Sequence, residues 1–182
     1  MMRGIRGTVH EGGTRVPFFI RWKNHIPEGQ TNETTAGHID IYPTLQDLCN
    51  LKPITGKPLA GVSLASLLLK DTASFDTHRK LYTHVNFMEI PVGLNSGGFR
   101  YNQYRFAYES DKPQLYDLTQ DPEEKKDLSL LKSDITTQFL NNYKRWFTSA
   151  TAGFQYNRPV VLSTLGVELP VFEATLSTGI KF

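Results

Sequence analysis

Residues 3–22 read Arg-Gly-Ile-Arg-Gly-Thr-Val-His-Glu-Gly-Gly-Thr-Arg-Val-Pro-Phe-Phe-Ile-Arg-Trp. A glycine-punctuated polar loop runs directly into an apolar segment, and the rest of the chain reads as support for that junction. Val16 to Trp22 is expected to be a strand, with Val16, Phe18, Ile20 and Trp22 on one side and Phe19 on the other. A strand apolar on both faces belongs inside a covered parallel sheet. Pro17 donates no ladder hydrogen bond, so it marks the start of the strand or an edge position. The chain offers no further segment that reads as a parallel neighbour for it. Glu11 and Arg15, four residues apart, are expected to form a structural ion pair.

Downstream, Tyr42-Pro43 opens a helix with proline in its first turn, and Ile41, Leu45, Leu48 and Leu51 recur along one face until Lys52-Pro53 ends it. Asp40 is read as a helix-entry residue and His38 as a capping or packing histidine, because no second ligand stands at a metal-like spacing. Cys49, the single cysteine, has apolar neighbours and is expected to be buried; with one cysteine there is no intrachain disulfide. Ser63 is expected to cap a short helix to Leu69 that turns Leu64, Leu67 and Leu68 inward. The polar stretch Asp71 to Thr77 reads as a boundary.

From Arg79 the period changes from helical to alternating. Leu81 to Val85, Phe99 to Tyr101, Tyr104 to Tyr108 and Gln114 to Leu118 are expected to form four antiparallel strands, with Asn102-Gln103 as a two-residue hairpin turn. Asp121-Pro122-Glu123-Glu124 has the pattern of a helix start, its two glutamates pointing into solvent. Asp134 to Ser149 is the clearest helix. Its stripe of Ile135, Phe139, Tyr143, Trp146 and Phe147 is placed to pack across the small sheet, with Lys144-Arg145 in the last turn. After Gly153 the chain reads as extended segments.

The fold class expected is therefore α+β: part of an α/β domain over residues 1–71, a small four-stranded antiparallel sheet with a long helix over 78–150, and a β-rich tail over 151–182. A content of 39% hydrophobic and 21% charged residues is that of an ordinary globular protein, and a formal charge of +2 without basic clusters argues against a nucleic-acid partner. The longest apolar run, Leu67-Leu68-Leu69, is too short to span a bilayer. The opening Met-Met-Arg-Gly-Ile-Arg-Gly has no apolar core of a signal peptide. Asn32-Glu33-Thr34 is a glycosylation sequon on a polar loop; chance occurrence accounts for it.

Three blocks resemble the formylglycine-dependent sulfatases of the alkaline phosphatase superfamily. Arg3 to Pro17 is similar to their "R-G-x-K-G-x-x-[YH]-E-G-G-x-R-V-P"; His38-Ile39-Asp40-Ile41-Tyr42-Pro43-Thr44-Leu45 to their "H-x-D-[LIV]-x-P-T-L"; and Leu115-Tyr116-Asp117-Leu118 with Asp121-Pro122-Glu123-Glu124 to their "L-Y-D-L-x-x-D-P-x-E". The blocks stand in the family's order over about residues 2–150. The resemblance implies a hydrolase of sulfate esters, of a sulfated small molecule or carbohydrate, exported to the periplasm or cell exterior. It also implies a calcium ion and a formylglycine made from "[CS]-x-P-x-R". Cys49 is followed by Asn50-Leu51-Lys52 and no serine begins that motif, so nucleophile and calcium ligands are expected outside this chain, which reads as a carboxy-terminal fragment inactive by itself. Arg6 stands where the family has a sulfate-contacting lysine. It either grips two sulfate oxygens as a planar fork or pairs with Glu11 or water. Two other readings stay open: a related phosphodiesterase or phosphonate hydrolase, and a non-catalytic binding module.

Overall fold

A computed structural model of the chain describes residues 1–52, 59–70, 75, 78–85, 93, 94, 96–156 and 178–181. The expected connector at 53–58, the polar break at 71–74 and 76–77, the turn residues 86–92 and 95, and most of the extended tail lie outside the described residues. The architecture is α+β. Its centre is a four-stranded antiparallel sheet made of β3 (Leu81–His84), β4 (Gly97–Tyr101), β5 (Tyr104–Glu109) and β6 (Lys112–Asp117), in that spatial order. Two-residue turns join the last three strands. Asn102 (φ 50°) makes the expected first turn, and Ser110 with Asp111 (φ 52° and 59°) makes the second, whose paired positive φ values suit the right-handed twist of the flanking strands.

The two faces of this sheet do different work, and the alternation of the strands sets which is which. Phe99, Phe106 and Leu115 are cross-strand neighbours on one face and form a core with Phe139 and Tyr143 of α4 (Ser133–Tyr156). Phe99 and Phe139 lie 5.0 Å apart and Phe99 and Phe106 5.3 Å, tilted pairs each contributing about 0.5–1.5 kcal/mol beyond burial. Helix and sheet approach so closely at Gly97 that a Cβ there would sit 1.5 Å from the Tyr143 hydroxyl. That hydroxyl donates to the Leu94 carbonyl at 2.9 Å and meets His84 Nδ1 at 2.9 Å. The other face presents Arg100, Arg105 and Tyr116, all buried, towards the glycine-rich amino-terminal segment.

α4 is longer than the 134–149 read from the apolar stripe, so Lys144 and Arg145 sit mid-helix and not in the last turn. Beyond Ser149 the continuation is alanine-, glycine- and threonine-rich and carries no stripe to read, while the Ser149 and Thr151 hydroxyls bond back to the Arg145 and Phe147 carbonyls within the helix.

Further expectations are corrected. The segment 16–22 is a two-residue strand, β1 (Val16–Pro17), and it has a parallel neighbour, β7 (Thr178–Lys181), which also pairs antiparallel with β2 (Ala36–Gly37). It is not sheltered: Phe19 is 91% exposed, because nothing among the described residues covers that side. Next, α2 (Ile41–Leu48) buries Pro43 and Thr44, while Leu45 and the trailing Leu51 are exposed and Cys49, at the helix terminus, is exposed too. An apolar stripe records what a helix needs to cover and does not name what covers it. Finally, no helix starts at Asp121. Asp121 Oδ2 accepts instead from the Lys126 amide at 2.7 Å, and Glu124 turns inward at φ 54°. α3 (Ala65–Leu68) forms where a short helix is expected but ends before Leu69 and has Leu64 at its N-cap position; Ser63 Oγ still accepts from the Ala65 amide at 3.2 Å, Leu64 and Leu67 are buried, and Leu68 is half-buried.

Candidate functional site

Arg6 sits at the tip of a β-turn spanning Ile5 to Thr8. The Thr8 amide donates to the Ile5 carbonyl at 3.0 Å and the Thr8 hydroxyl bonds the same oxygen at 2.8 Å. Gly7 follows with φ 84°, the value a type II turn requires at its third residue, where a side chain would be strained. Arg6 is exposed, and its guanidinium makes no ion pair with Glu11, the arrangement weighed as its alternative. The turn lies against α1 (Glu11–Thr14), a four-residue helical turn inside what the sequence presents as a loop. The Gly12 amide donates to the Arg3 carbonyl at 2.7 Å, and a Cβ at Gly12 would stand 2.3 Å from the Gly4 carbonyl oxygen.

Beneath α1 is a buried set of charges. Glu11 Oε1 accepts from Arg105 Nη2 at 2.5 Å and lies 3.7 Å from Arg100 Nη1. Arg105 Nη2 also donates to Thr14 Oγ1 at 2.8 Å. Glu124, fully buried, accepts from the Glu11 amide at 3.0 Å and stands 4.0 Å from Arg105 Nε. His10 lies between Glu109 at 3.3 Å and Glu124 at 3.4 Å, with the Tyr116 ring against it. Arg3 donates to the Tyr116 hydroxyl. Charges taken out of water persist only where opposite charges and hydrogen bonds replace the lost hydration, and here two arginines face two glutamates.

The expected Glu11–Arg15 ion pair is therefore corrected: the Glu11 carboxylate turns inward to Arg105, and Arg15 contributes only its more distant field. Burial by itself would raise the Glu11 carboxyl. The charge and hydrogen bond of Arg105, then the charges of Arg100 and Arg15, outweigh it and hold the group below its ordinary 4.5. Burial also pushes His84 below its ordinary 6.5.

Both shifts predict loss of stability in acid. The contribution of Glu11 is present above its unfolded value and disappears as pH falls through the lower folded value. The unfolded imidazole takes up its proton at a higher pH than the buried His84 does, so stability falls as pH drops through the ordinary 6.5. Urea unfolding midpoints measured across this range are expected to be flat above about pH 7, to decline below it, and to fall most steeply under about pH 4.5. A rise in midpoint between those two values would contradict the assignment.

Asp40 is fully buried. Its carboxylate accepts from the Gly37 amide at 2.7 Å and the Val62 amide at 2.9 Å, and it is gripped by both terminal nitrogens of Arg79. It stands at the entry of α2 as expected, but its side chain makes no cap bond to that helix. His38, in the 3₁₀ turn His38–Asp40, is exposed. Of the paired glutamates, Glu123 meets Lys125 at the surface and Glu124 is buried against the arginines, which corrects the expectation that both face solvent. Sequence reading missed Arg79, Arg100 and Arg105. The available signal was a pair of arginines at the turn-proximal positions of two otherwise aromatic strands.

Among the described residues no group of three or more His, Cys, Asp or Glu side chains is placed to hold a metal ion. Among them, too, no helix is long and apolar enough to cross a membrane. A groove of about 890 Å³ runs along β1, walled by Arg15, Phe18, Phe19, Arg21, Leu67 and Leu68; Arg6 is not among its walls.

Residues 6–146 match the family model described as N-sulphoglucosamine sulphohydrolase, C-terminal. A sulfatase of Formosa agariphila is 26% identical over 166 residues, covering 83% of this chain and 30% of that protein. Arylsulfatase A of Homo sapiens is 39% identical over 69 residues, 38% of this chain and 13% of that protein. The crystal structure of Ps i-CgsB superposes with a TM-score of 0.64 at 21% identity, covering 80% of this chain and 31% of that one, which establishes a shared fold. The chain thus spans a third or less of the length of the relatives it matches.

Proposed function

The chain belongs to the family of N-sulphoglucosamine sulphohydrolase C-terminal domains, and from that premise we propose that it is the carboxy-terminal part of a sulfatase that hydrolyses sulfate esters of a carbohydrate, with Arg6 contacting the sulfate. The observation that carries this reading is the presentation of Arg6. It stands at the family's sulfate-contacting position, exposed, on a turn whose backbone is fixed by hydrogen bonds at Thr8 and Gly12. A guanidinium held there offers two parallel N–H donors to two sulfate oxygens.

The carbohydrate class follows the company the fold keeps: Ps i-CgsB has also been solved in complex with k-i-k-neocarrahexaose. When bound, calcium and formylglycine supply the polarisation of the ester and the nucleophile in such enzymes. Both are assigned to a part of the protein other than these residues, whose sequence contains no "[CS]-x-P-x-R" motif. Export to the periplasm or cell exterior is part of the same proposal.

The test has two arms. Incubated with calcium and either an aryl sulfate or a sulfated oligosaccharide, the 182-residue chain is expected to release no sulfate; release would overturn the division of labour. Titrated with inorganic sulfate, the ¹⁵N-labelled chain is expected to show saturable shifts at the Arg6 and Gly7 amides that vanish in Arg6→Ala. Equal shifts in both proteins would remove Arg6 from the sulfate site.

A further inference from the structure

We propose that Arg105, on the far side of α1 from the turn, is the positioning residue that sets where Arg6 stands. Its consequence for sulfate rests on the reading of Arg6 given above; the mechanical claim does not. One nitrogen of the Arg105 guanidinium, Nη2, binds the first and last residues of α1 together, Glu11 Oε1 at 2.5 Å and Thr14 Oγ1 at 2.8 Å. A four-residue helical turn has no stability of its own, so its place is set by what holds its side chains.

From α1 the constraint passes to the turn through backbone alone. Gly12 donates to the Arg3 carbonyl at 2.7 Å. The space between the two segments is smaller than a methyl group: a Cβ at Gly13 would stand 2.4 Å from the Thr8 carbonyl oxygen and 2.5 Å from that of Ile5. A shift of α1 therefore moves residues 4–8 with it. Arg105 contributes nothing to the aromatic core, which Phe99, Phe106 and Leu115 build on the opposite face of the sheet. Its removal is expected to free the turn and leave the sheet and α4 in place.

The experiment follows amide exchange and sulfate binding by NMR in the full 182-residue chain, with inorganic sulfate as the probe, in wild type, Arg105→Gln, Arg105→Lys and Thr14→Val. Losing a charged hydrogen bond predicts exchange at Thr8, Gly12 and Gly13 faster by about tenfold or more in Arg105→Gln, beyond any increase at Phe106 and Leu115, which report the cost of the broken ion pair to the whole fold. Sulfate affinity at Arg6 falls by a similar factor, and Arg105→Lys, which keeps one charged contact, recovers part of both. Exchange at the three turn amides that rises no more than at Phe106 and Leu115 overturns the proposal. If wild type shows no sulfate response, the reading of Arg6 as a sulfate contact fails, and the exchange data still decide the positioning role. If Arg105→Gln does not fold, Thr14→Val removes the hydroxyl that accepts from Arg105 Nη2 at 2.8 Å and donates to the His10 carbonyl at 3.0 Å, and must speed the same amides several-fold; no change there also overturns it.

Discussion

Glu11→Gln is expected to remove about 3–5 kcal/mol of folding stability, the effect of breaking a buried ion pair by deleting one partner. The substitution keeps shape and one hydrogen-bond acceptor, so the loss isolates charge. Arg100 and Arg105 are direct cross-strand partners, and like charges so placed repel unless something negative lies between them. Glu11 Oε1 is that bridge, 2.5 Å from one and 3.7 Å from the other. With Glu11 neutral, two buried guanidinium groups share the single carboxylate of Glu124. Since a domain of this size holds only about 5–15 kcal/mol in total, much of the native population is at stake. Urea unfolding read by tryptophan fluorescence measures it, with the surface variant Glu123→Gln as the control expected to lie within about 0.5 kcal/mol of wild type. A loss for Glu11→Gln as small as the control's would mean that the cluster is already solvated.

Asp40→Asn is expected to have a comparable effect for a different reason. The Asp40 carboxylate receives two backbone amides and both terminal nitrogens of Arg79, so every donor around it points inward. Asparagine turns one of its two oxygens into a donor, sets N–H against N–H, and leaves Arg79 without its counter-charge. A loss of about 3–5 kcal/mol corresponds to a fall in Tm of roughly 6–20 °C for a chain of this length. The change should also be felt at a distance, because Asp40 joins the entry of α2 to Val62 ahead of α3 and to Arg79 next to β3. A fall under about 3 °C, or one confined to residues near α2 in hydrogen exchange, would sink the claim.

What could be read from the sequence was what local pattern controls. The four strands follow from alternation of aromatic with polar residues, the Asn102-Gln103 turn from its position between two such runs, and α4 from a stripe that repeats every three or four residues. The α+β class follows from these alone. The misreadings share one cause, competition between a local partner and a remote one. Arg15 is four residues from Glu11 but loses it to Arg105, 94 residues away, because only a buried guanidinium can compensate a buried carboxylate. Asp121-Pro122-Glu123-Glu124 has the lettering of a helix start, yet Glu124 is drawn to the Glu11 amide and the helix does not form. Exposed Phe19 and Leu45 show the complementary failure: their hydrophobicity is plain, and the surface that would satisfy it is not among the described residues.

At position 124 the backbone and the side chain ask for different amino acids. A φ of 54° there favours glycine, at a cost to any other residue of roughly 1–3 kcal/mol, while the carboxylate it carries answers an arginine. A library randomised at this codon and sorted on foldedness should therefore return glutamate, although a designer working from torsion angles would write glycine.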